Sequence, residues 1–384
     1  MSAAAVIAPG AALGVLGGGQ LGRMFVHAAQ RLGYRCIVLD PDADSPAGRV
    51  AERHLRAGYL DEAALDTLAR EAAAVTTEFE NVPAQSLLRL AEHVPVAPGA
   101  AAVAICQDRA LEKALFARCG VPCAPHAVID GEAALAAVSD ALLPGILKTA
   151  QLGYDGKGQR AVTDRAQLAA AWRELGAVRC VLERRLDLAF EISVVLARSA
   201  AGDAVVTYPP FRNLHRDGIL AVTHWPAPID AALAARADAA ARAIARALDY
   251  GGVLCVEFFV DRHGTLYANE MAPRPHNSGH CTIDASDVSQ FEWQVRTLAR
   301  LPLPAPRVQA SAVMLNLLGD LWRDGAPPDW RSVLALPGAH LHLYGKALAR
   351  PGRKMGHLTL TAADADAAAG LAREAAQRLG LPAW

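Results

Sequence analysis

Two rhythms of apolar and polar positions alternate along the first forty residues. ALGVL at 12–16 is a short apolar run that enters a glycine turn, and QLGRMFVHAAQRLG then repeats its apolar side chains at helical spacing. RCIVLD returns to a strand, so strand, turn, helix and strand follow in order. That order predicts a parallel, doubly wound sheet. The pattern continues through VTTEFE, read as a strand end, and AQSLLRLAEH, read as a helix. VAPGAAAV leads into one helix across CQDRALEKALFARCG, closed by Gly120, Val121 and Pro122.

Past residue 121 the apolar runs shorten. PGILKTA, RCVLERRL, EISVVLARS and AVVTYP read as strands, with a turn at 199–203. An amphipathic helix over roughly 230–249 precedes a hairpin, VLCVEFFVDRHGTLYANEMA, and QFEWQVRTLARL forms the next helix. The proline-rich stretch 301–306 separates a last part whose strands are SAVMLNLLG, HLHLYG and GHLTLTA, followed by a helix. The expected fold is therefore α/β in three parts. These are a Rossmann-like parallel-sheet domain over 1–115, an α+β domain over 116–305, and a small mixed β-rich domain over 306–384.

Composition narrows the function. With 53% hydrophobic and 20% charged residues, 384 residues can bury sizeable cores, and the net charge of -1 argues against a broad nucleic-acid surface. The apolar N-terminus lacks a basic start and no uninterrupted apolar run is long enough to span a bilayer, so a cytoplasmic protein is expected. Seven scattered cysteines, an odd number without a CxxC pair, read as small buried apolar residues. Only five of the 38 basic residues are lysines, and four of those five (Lys148, Lys157, Lys346 and Lys354) fall in the motifs that follow.

Gly17 to Gly22 contain G-x-G-x-x-G between a strand and a helix, and Asp40 ends the next strand. This is the dinucleotide fingerprint, although the same geometry admits any phosphate or substrate group at a helix start. Lys148 ends a strand, and the loop Gly153-Tyr154-Asp155-Gly156-Lys157-Gly158-Gln159 follows. Its glycines free backbone N–H groups and its lysines supply charge, a combination suited to polyphosphate; a flexible hairpin turn is the alternative.

Glu257 and Glu270 stand on the two strands of the hairpin. With Arg262 and His263 as a two-residue loop, Glu257 would oppose Ala268 and Glu270 would oppose Cys255, both acids on one face. Two buried acids repel unless a cation lies between them, and carboxylates are the usual protein ligands of Mg²⁺. Asn269 would join them only at a local bend. The loop after the hairpin, Met271 to His280, is stiffened by two prolines and carries Arg274, His276, Asn277, Ser278 and His280, as a substrate-orienting loop would. Lys346, Arg353 and Lys354 crowd a glycine-flanked turn, which suits a monophosphate or, equally, a solvated basic surface.

Taken together, GGGQLGRM, VTTEFENV, LKTAQLGYDGKGQ, FRNLHRDGIL, NEMAPRPHNSGH and YGKALARPGRKMGH resemble the ATP-grasp ligases. Within that superfamily they are most similar to the N5-carboxyaminoimidazole ribonucleotide synthetases, from residue 13 to the end. The resemblance implies ATP and Mg²⁺ as cofactors, with bicarbonate and 5-aminoimidazole ribonucleotide as substrates. Carboxyphosphate would form on the way to ADP, phosphate and the N5-carboxylated product, in purine biosynthesis and in a homodimer.

It further implies a nucleotide site of Arg109, Lys148, the loop 153–159, Glu183, Arg184, Arg185, Leu186, Glu191, His215, Asn269 and Glu270. The metal ligands would be Glu257 and Glu270. The ribonucleotide would lie among Gly19, Gln20, Leu21, Glu78, Glu80, His276, Asn277, Ser278, Lys346, Arg353 and Lys354. Tyr154, Asp155, Lys157, Arg274 and His276 would surround the reacting carboxyl group. Another ATP-grasp ligase (a formate-dependent glycinamide ribonucleotide transferase or a biotin-carboxylase-like enzyme), an NAD-dependent oxidoreductase and a non-catalytic nucleotide-binding module are the competing readings.

Overall fold

Four parallel strands, in the order Arg53–Leu55, Arg35–Leu39, Ala12–Leu16, Ala74–Thr77, form the N-terminal sheet of the computed structural model. The structure describes residues 5–153, 158–199, 202 and 204–384, apart from the side chain of Asp324. Alternate residues of Ala12–Leu16 serve opposite faces, as a pleated strand requires. Ala12 and Leu16 pack with Leu65, Leu68 and Leu87, while Leu13 and Val15 pack with Phe25, Val26, Val295 and Leu298. The last two belong to the helix Gln290–Leu298, so a much later segment of the chain covers one face of this sheet.

A second sheet is antiparallel, in the order His126–Ile129, Cys180–Arg184, Gly145–Thr149, Gln159–Val162. Leu168 and Trp172 of the helix Arg165–Glu174 pack against its Leu147, Val162 and Leu182. The third sheet runs Leu266–Ala272, Gly252–Asp261, Leu188–Arg198, Phe211–Arg216, Ile219–Trp225, Ser311–Leu318, Lys354–Ala362, Ala339–Leu343, with Val205–Thr207 paired to Leu188–Arg198. Ile219–Trp225 bonds directly to Ser311–Leu318, so this sheet is continuous across the proline-rich stretch 301–306. Among the described residues no helix is long and apolar enough to cross a membrane.

Two departures from the sequence reading bear on the site. The expected helix over CQDRALEKALFARCG begins only at Arg109, running Arg109–Arg118, and a separate helix, Ala100–Cys106, precedes it. Asp108 starts the second helix by accepting from Ala110 N and Leu111 N at 2.9 and 3.2 Å, while Gln107 Nε2 donates to the carbonyls of Glu80 and Val82 at 2.6 and 2.7 Å. A side chain that satisfies free helix N–H groups fixes a new start and frees the helix to change direction. The hairpin loop also differs. Asp261 N bonds Thr265 O, and Gly264 takes the left-handed conformation at φ +75°, giving a three-residue loop. A bulge then shifts the pairing between Glu257 and Phe258, so Glu257 faces Glu270 directly and Asn269 is the extra residue.

The four cysteines Cys36, Cys180, Cys255 and Cys281 are buried, the three others are half-buried, and all are free thiols.

Candidate functional site

At one end of the site an anion sits between two lysines. Glu183 ends a strand of the small sheet, and its carboxylate oxygens lie 3.0 Å from Lys148 Nζ and 3.1 Å from Lys113 Nζ. Burial alone would raise the Glu183 pKa, but Lys148 and Lys113 outweigh it and hold the group at about 2. Lys113 is 1% exposed and comes from the redirected helix Arg109–Arg118. The segment after Glu183 leaves Arg184 and Arg185 exposed and Leu186 half-buried. Thr149 N donates to Gly158 O at 2.9 Å and Lys148 pairs with Gln159, so the far end of the glycine loop is tied to the strand that Lys148 belongs to, and Gly153 lies half-buried at its start. Tyr154, Asp155, Gly156 and Lys157 lie outside the described residues.

The same helix grips the carboxylate hairpin at three points. Arg109 Nη1 lies 3.0 Å from Glu270 Oε2, Lys113 Nζ donates to Asn269 O at 3.1 Å, and Met271 N donates to Glu112 Oε1 at 2.6 Å. Two of these contacts hold the main chain on either side of Glu270, and the third holds its side chain. Burial pushes the Glu112 carboxyl up to about 8, against the pull of Lys113 and Arg109.

A hard cation fits this hairpin. Facing carboxylates on Glu257 and Glu270 supply oxygen donors, and Asn269 Oδ1, at the bulge, is buried without a hydrogen-bond partner. An oxygen-only donor set is the type that Mg²⁺ takes. Glu191 and His215 stand beside Glu257, with one ligand atom from each of the three within 4.8 Å of the others, and His215 Nδ1 lies 2.9 Å from Glu191 Oε2.

From the hairpin the polar chain runs into the stiff loop. His276 Nε2 lies 2.8 Å from Glu257 Oε1, and His276 Nδ1 accepts from Ser278 N at 3.3 Å with Ser278 Oγ at 2.8 Å. Because a backbone N–H points at Nδ1, the proton of the neutral ring sits on Nε2, facing Glu257. Ser278 Oγ meets Ser193 Oγ at 2.8 Å, Asn213 Nδ2 donates to Ser193 Oγ at 2.9 Å, and Thr223 Oγ1 donates to Asn213 Oδ1 at 3.0 Å. Three strands of the large sheet thus fix one imidazole. Burial raises the Glu257 pKa, but His276 first, then His215 and Lys354, outweigh it and hold the carboxyl below its ordinary value. The amide atoms of Asn277 are buried with no partner in the protein, as a ligand-facing group would be.

The N-terminal glycine loop is tied to the protein's own acids. Asp40 accepts from Gly18 N at 2.7 Å, and Glu78 accepts from Gly19 N at 2.8 Å and from Gly22 N at 3.0 Å. Asp40 also takes the Tyr59 hydroxyl at 2.7 Å. The N–H groups that would hold a dinucleotide pyrophosphate are therefore occupied, and the oxidoreductase reading loses its anion site. Two residues on, Glu80 pairs with Arg274. Gln20 opens the helix Gln20–Arg31, and Leu21 packs with Met24, Phe291 and Tyr344. The Tyr344–Lys346 turn is thus brought beside the glycine loop.

In that turn Lys346 Nζ donates to Lys354 O at 2.7 Å and Arg353 Nη1 to Leu348 O at 2.8 Å. Lys354 is near enough to Glu257 to act on it electrostatically.

Lys113, Glu112, Ser193 and Asn213 were not among the sequence candidates. Lys113 alone carried a signal, as the one lysine outside the motifs in a chain nearly without them.

Three known domain families match this chain. They are the ribonucleotide synthetase preATP-grasp domain over residues 11–107, the ATP-grasp domain over 114–291 and the phosphoribosylaminoimidazole carboxylase C-terminal domain over 312–370. The N5-carboxyaminoimidazole ribonucleotide synthase of Brucella melitensis is 45% identical over 354 residues, covering 91% of this chain and 96% of that protein. A crystal structure of an N5-carboxyaminoimidazole ribonucleotide synthetase with ADP superposes at a TM-score of 0.90 with 36% identity, covering 98% of both chains. The Aspergillus clavatus enzyme in complex with ADP and 5-aminoimidazole ribonucleotide superposes at 0.88 with 31% identity, covering 96% of this chain and 98% of that one.

Proposed function

The chain belongs to the N5-carboxyaminoimidazole ribonucleotide synthase family of ATP-grasp proteins, and on that premise we propose that it joins bicarbonate to the amine of 5-aminoimidazole ribonucleotide, cleaving ATP to ADP and phosphate. One observation carries the site assignment: the 2.8 Å contact between Glu257 and His276 joins the hairpin acids to the substrate loop. A phosphoryl group held at the hairpin would therefore lie next to a substrate held by the loop.

Lys148, Lys113 and Arg109 face the ATP phosphates, with Glu183 holding the two lysines in place. Glu191 and His215 lie on the ribose side. Glu257, Glu270 and Asn269 would hold Mg²⁺, which when bound neutralises charge on the phosphates. The ribonucleotide lies between the glycine loop, the Glu80–Arg274 pair and Asn277, with its 5′-phosphate against Arg353 and Lys354. Bicarbonate oxygen attacks the γ-phosphorus to give carboxyphosphate and ADP. The amine then attacks the carboxyl carbon, phosphate leaves and the amine proton is released. Arg274 and His276 flank the reacting carboxyl group, and a dry site protects the mixed anhydride from water. We propose a cytoplasmic homodimer, as the family resemblance implies.

ADP release measured with different acceptors tests the reading. 5-Aminoimidazole ribonucleotide with bicarbonate should support turnover, and glycinamide ribonucleotide with formate, or biotin with bicarbonate, should not. Turnover on either of the latter pairs alone would overturn it.

A further inference from the structure

A second cluster of metal-ligating side chains lies apart from the Glu257–Glu270 hairpin. Asp284 on the helix Thr282–Ala285, His342 on the strand Ala339–Leu343 and His357 on the strand Lys354–Ala362 each place one ligand atom within 4.8 Å of the other two. The two histidines are direct cross-strand partners, with rings stacked 4.5 Å apart. Asp284 lies beneath them, its oxygens 2.9 and 3.2 Å from His342 Nε2.

Ordinary hydrogen bonding does not account for the cluster. His357 is 0% exposed; its Nδ1 meets the Tyr344 hydroxyl at 2.9 Å, and its Nε2 is buried with no partner. A buried ring nitrogen without a partner is costly. A metal ion at Nε2 would remove that cost, and Nδ1–H would then donate to Tyr344 Oη, the outer contact that ligating histidines make. His340 shows the same pattern at the rim. Its Nε2 meets Thr361 Oγ1 at 3.1 Å, and its Nδ1 points to Asp284 at 3.7 Å.

We propose that Asp284, His342 and His357 bind one divalent transition-metal ion of the zinc type, with His340 Nδ1 in reach of the fourth position. Imidazole donors favour Zn²⁺ or Co²⁺ over Mg²⁺, which sets this site apart from the all-oxygen hairpin. Bonds of about 2.0–2.1 Å place the ligand atoms of a tetrahedral ion roughly 3.4 Å apart, so the groups must draw in. His342, with 28% of its side chain exposed, has the freedom to do so. The ion would pin the helix that follows the 271–280 loop to the strand that starts at Lys354. If that loop and that strand hold the ribonucleotide, as proposed above, the ion would rigidify its pocket. Metal binding itself does not depend on that reading.

Zinc titration of the full chain, stripped with a chelator and then saturated with MgADP, tests the proposal. A chromophoric competitor should report roughly one tight equivalent, and His342→Gln and Asp284→Asn should each weaken it roughly a hundredfold. His215→Gln, in the hairpin cluster, should leave it intact. Thermal unfolding of metal-free protein checks that the variants fold. Cobalt added to the wild-type chain should give the visible absorption of a low-coordinate, histidine-ligated ion, a readout that needs no variant. The proposal is overturned if wild type retains no more Zn²⁺ than His342→Gln, if binding is lost with His215→Gln, or if cobalt stays in its aqueous form.

Discussion

Lys113 Nζ lies 3.1 Å from one oxygen of Glu183, and Lys148 Nζ lies 3.0 Å from the other. Removing one member of so buried a set strands the rest. Lys113→Met is expected to reduce unfolding stability by about 3–5 kcal/mol. Adding Glu183→Gln should recover part of that loss, with a coupling of about 0.5–3 kcal/mol in a double-mutant cycle by denaturant titration. Strict additivity would mean that the pair does not interact.

The same carboxylate sets an acid limit. Its pKa is lowered from 4.5 to about 2, so its contribution is fully present above pH 4.5 and is lost as pH falls toward 2. At about 1.4 kcal/mol per unit this is roughly 3 kcal/mol. Stability measured between pH 5 and pH 2 should fall less steeply in Lys113→Met than in wild type, because that variant's Glu183 is less depressed. Parallel curves would contradict the assignment.

Ser278 and Ser193 act through His276. Ser278→Ala removes the hydroxyl contact to Nδ1 and leaves the weaker backbone one, so kcat is expected to fall roughly two- to tenfold, the worth of one hydrogen bond of about 0.5–1.5 kcal/mol. The KM for ATP should stay within error. Steady-state kinetics with each substrate varied checks this, and a change confined to the ATP KM would place the relay elsewhere.

Arg353 and Lys354 are assigned to the 5′-phosphate. A charge-assisted contact is worth about 1.5–3 kcal/mol, so Lys354→Ala should raise the ribonucleotide KM roughly tenfold or more. ATP should be nearly unaffected. The opposite split would mean that the two pockets are exchanged.

What could be read from the chain was local or carried by family motifs. The strand, turn and helix at 12–31 follow from periodicity, and Lys148, Glu257, Glu270 and His276 stood out through their motifs. Lys113 could not be placed this way, because Glu183 is 70 residues away and only the break at Asp108 turns that helix toward it. The facing of Glu257 and Glu270 depended on a loop one residue longer than expected and on a bulge, and neither has a periodic signature. Asp40 fitted a cofactor motif in sequence, and Glu78 entered only through the family resemblance. In three dimensions they satisfy the glycine-loop N–H groups themselves.

The central claim is that ATP cleavage is coupled to carboxylation of the ribonucleotide amine. ¹³C-bicarbonate, ATP, Mg²⁺ and 5-aminoimidazole ribonucleotide incubated with the protein and followed by ¹³C NMR test it directly. The expected result is a carbamate carbon that grows in step with ADP, about one to one, and that is absent without either bicarbonate or the ribonucleotide. ADP formed without labelled carbamate, or carbamate formed at the same rate without ATP, would contradict the account.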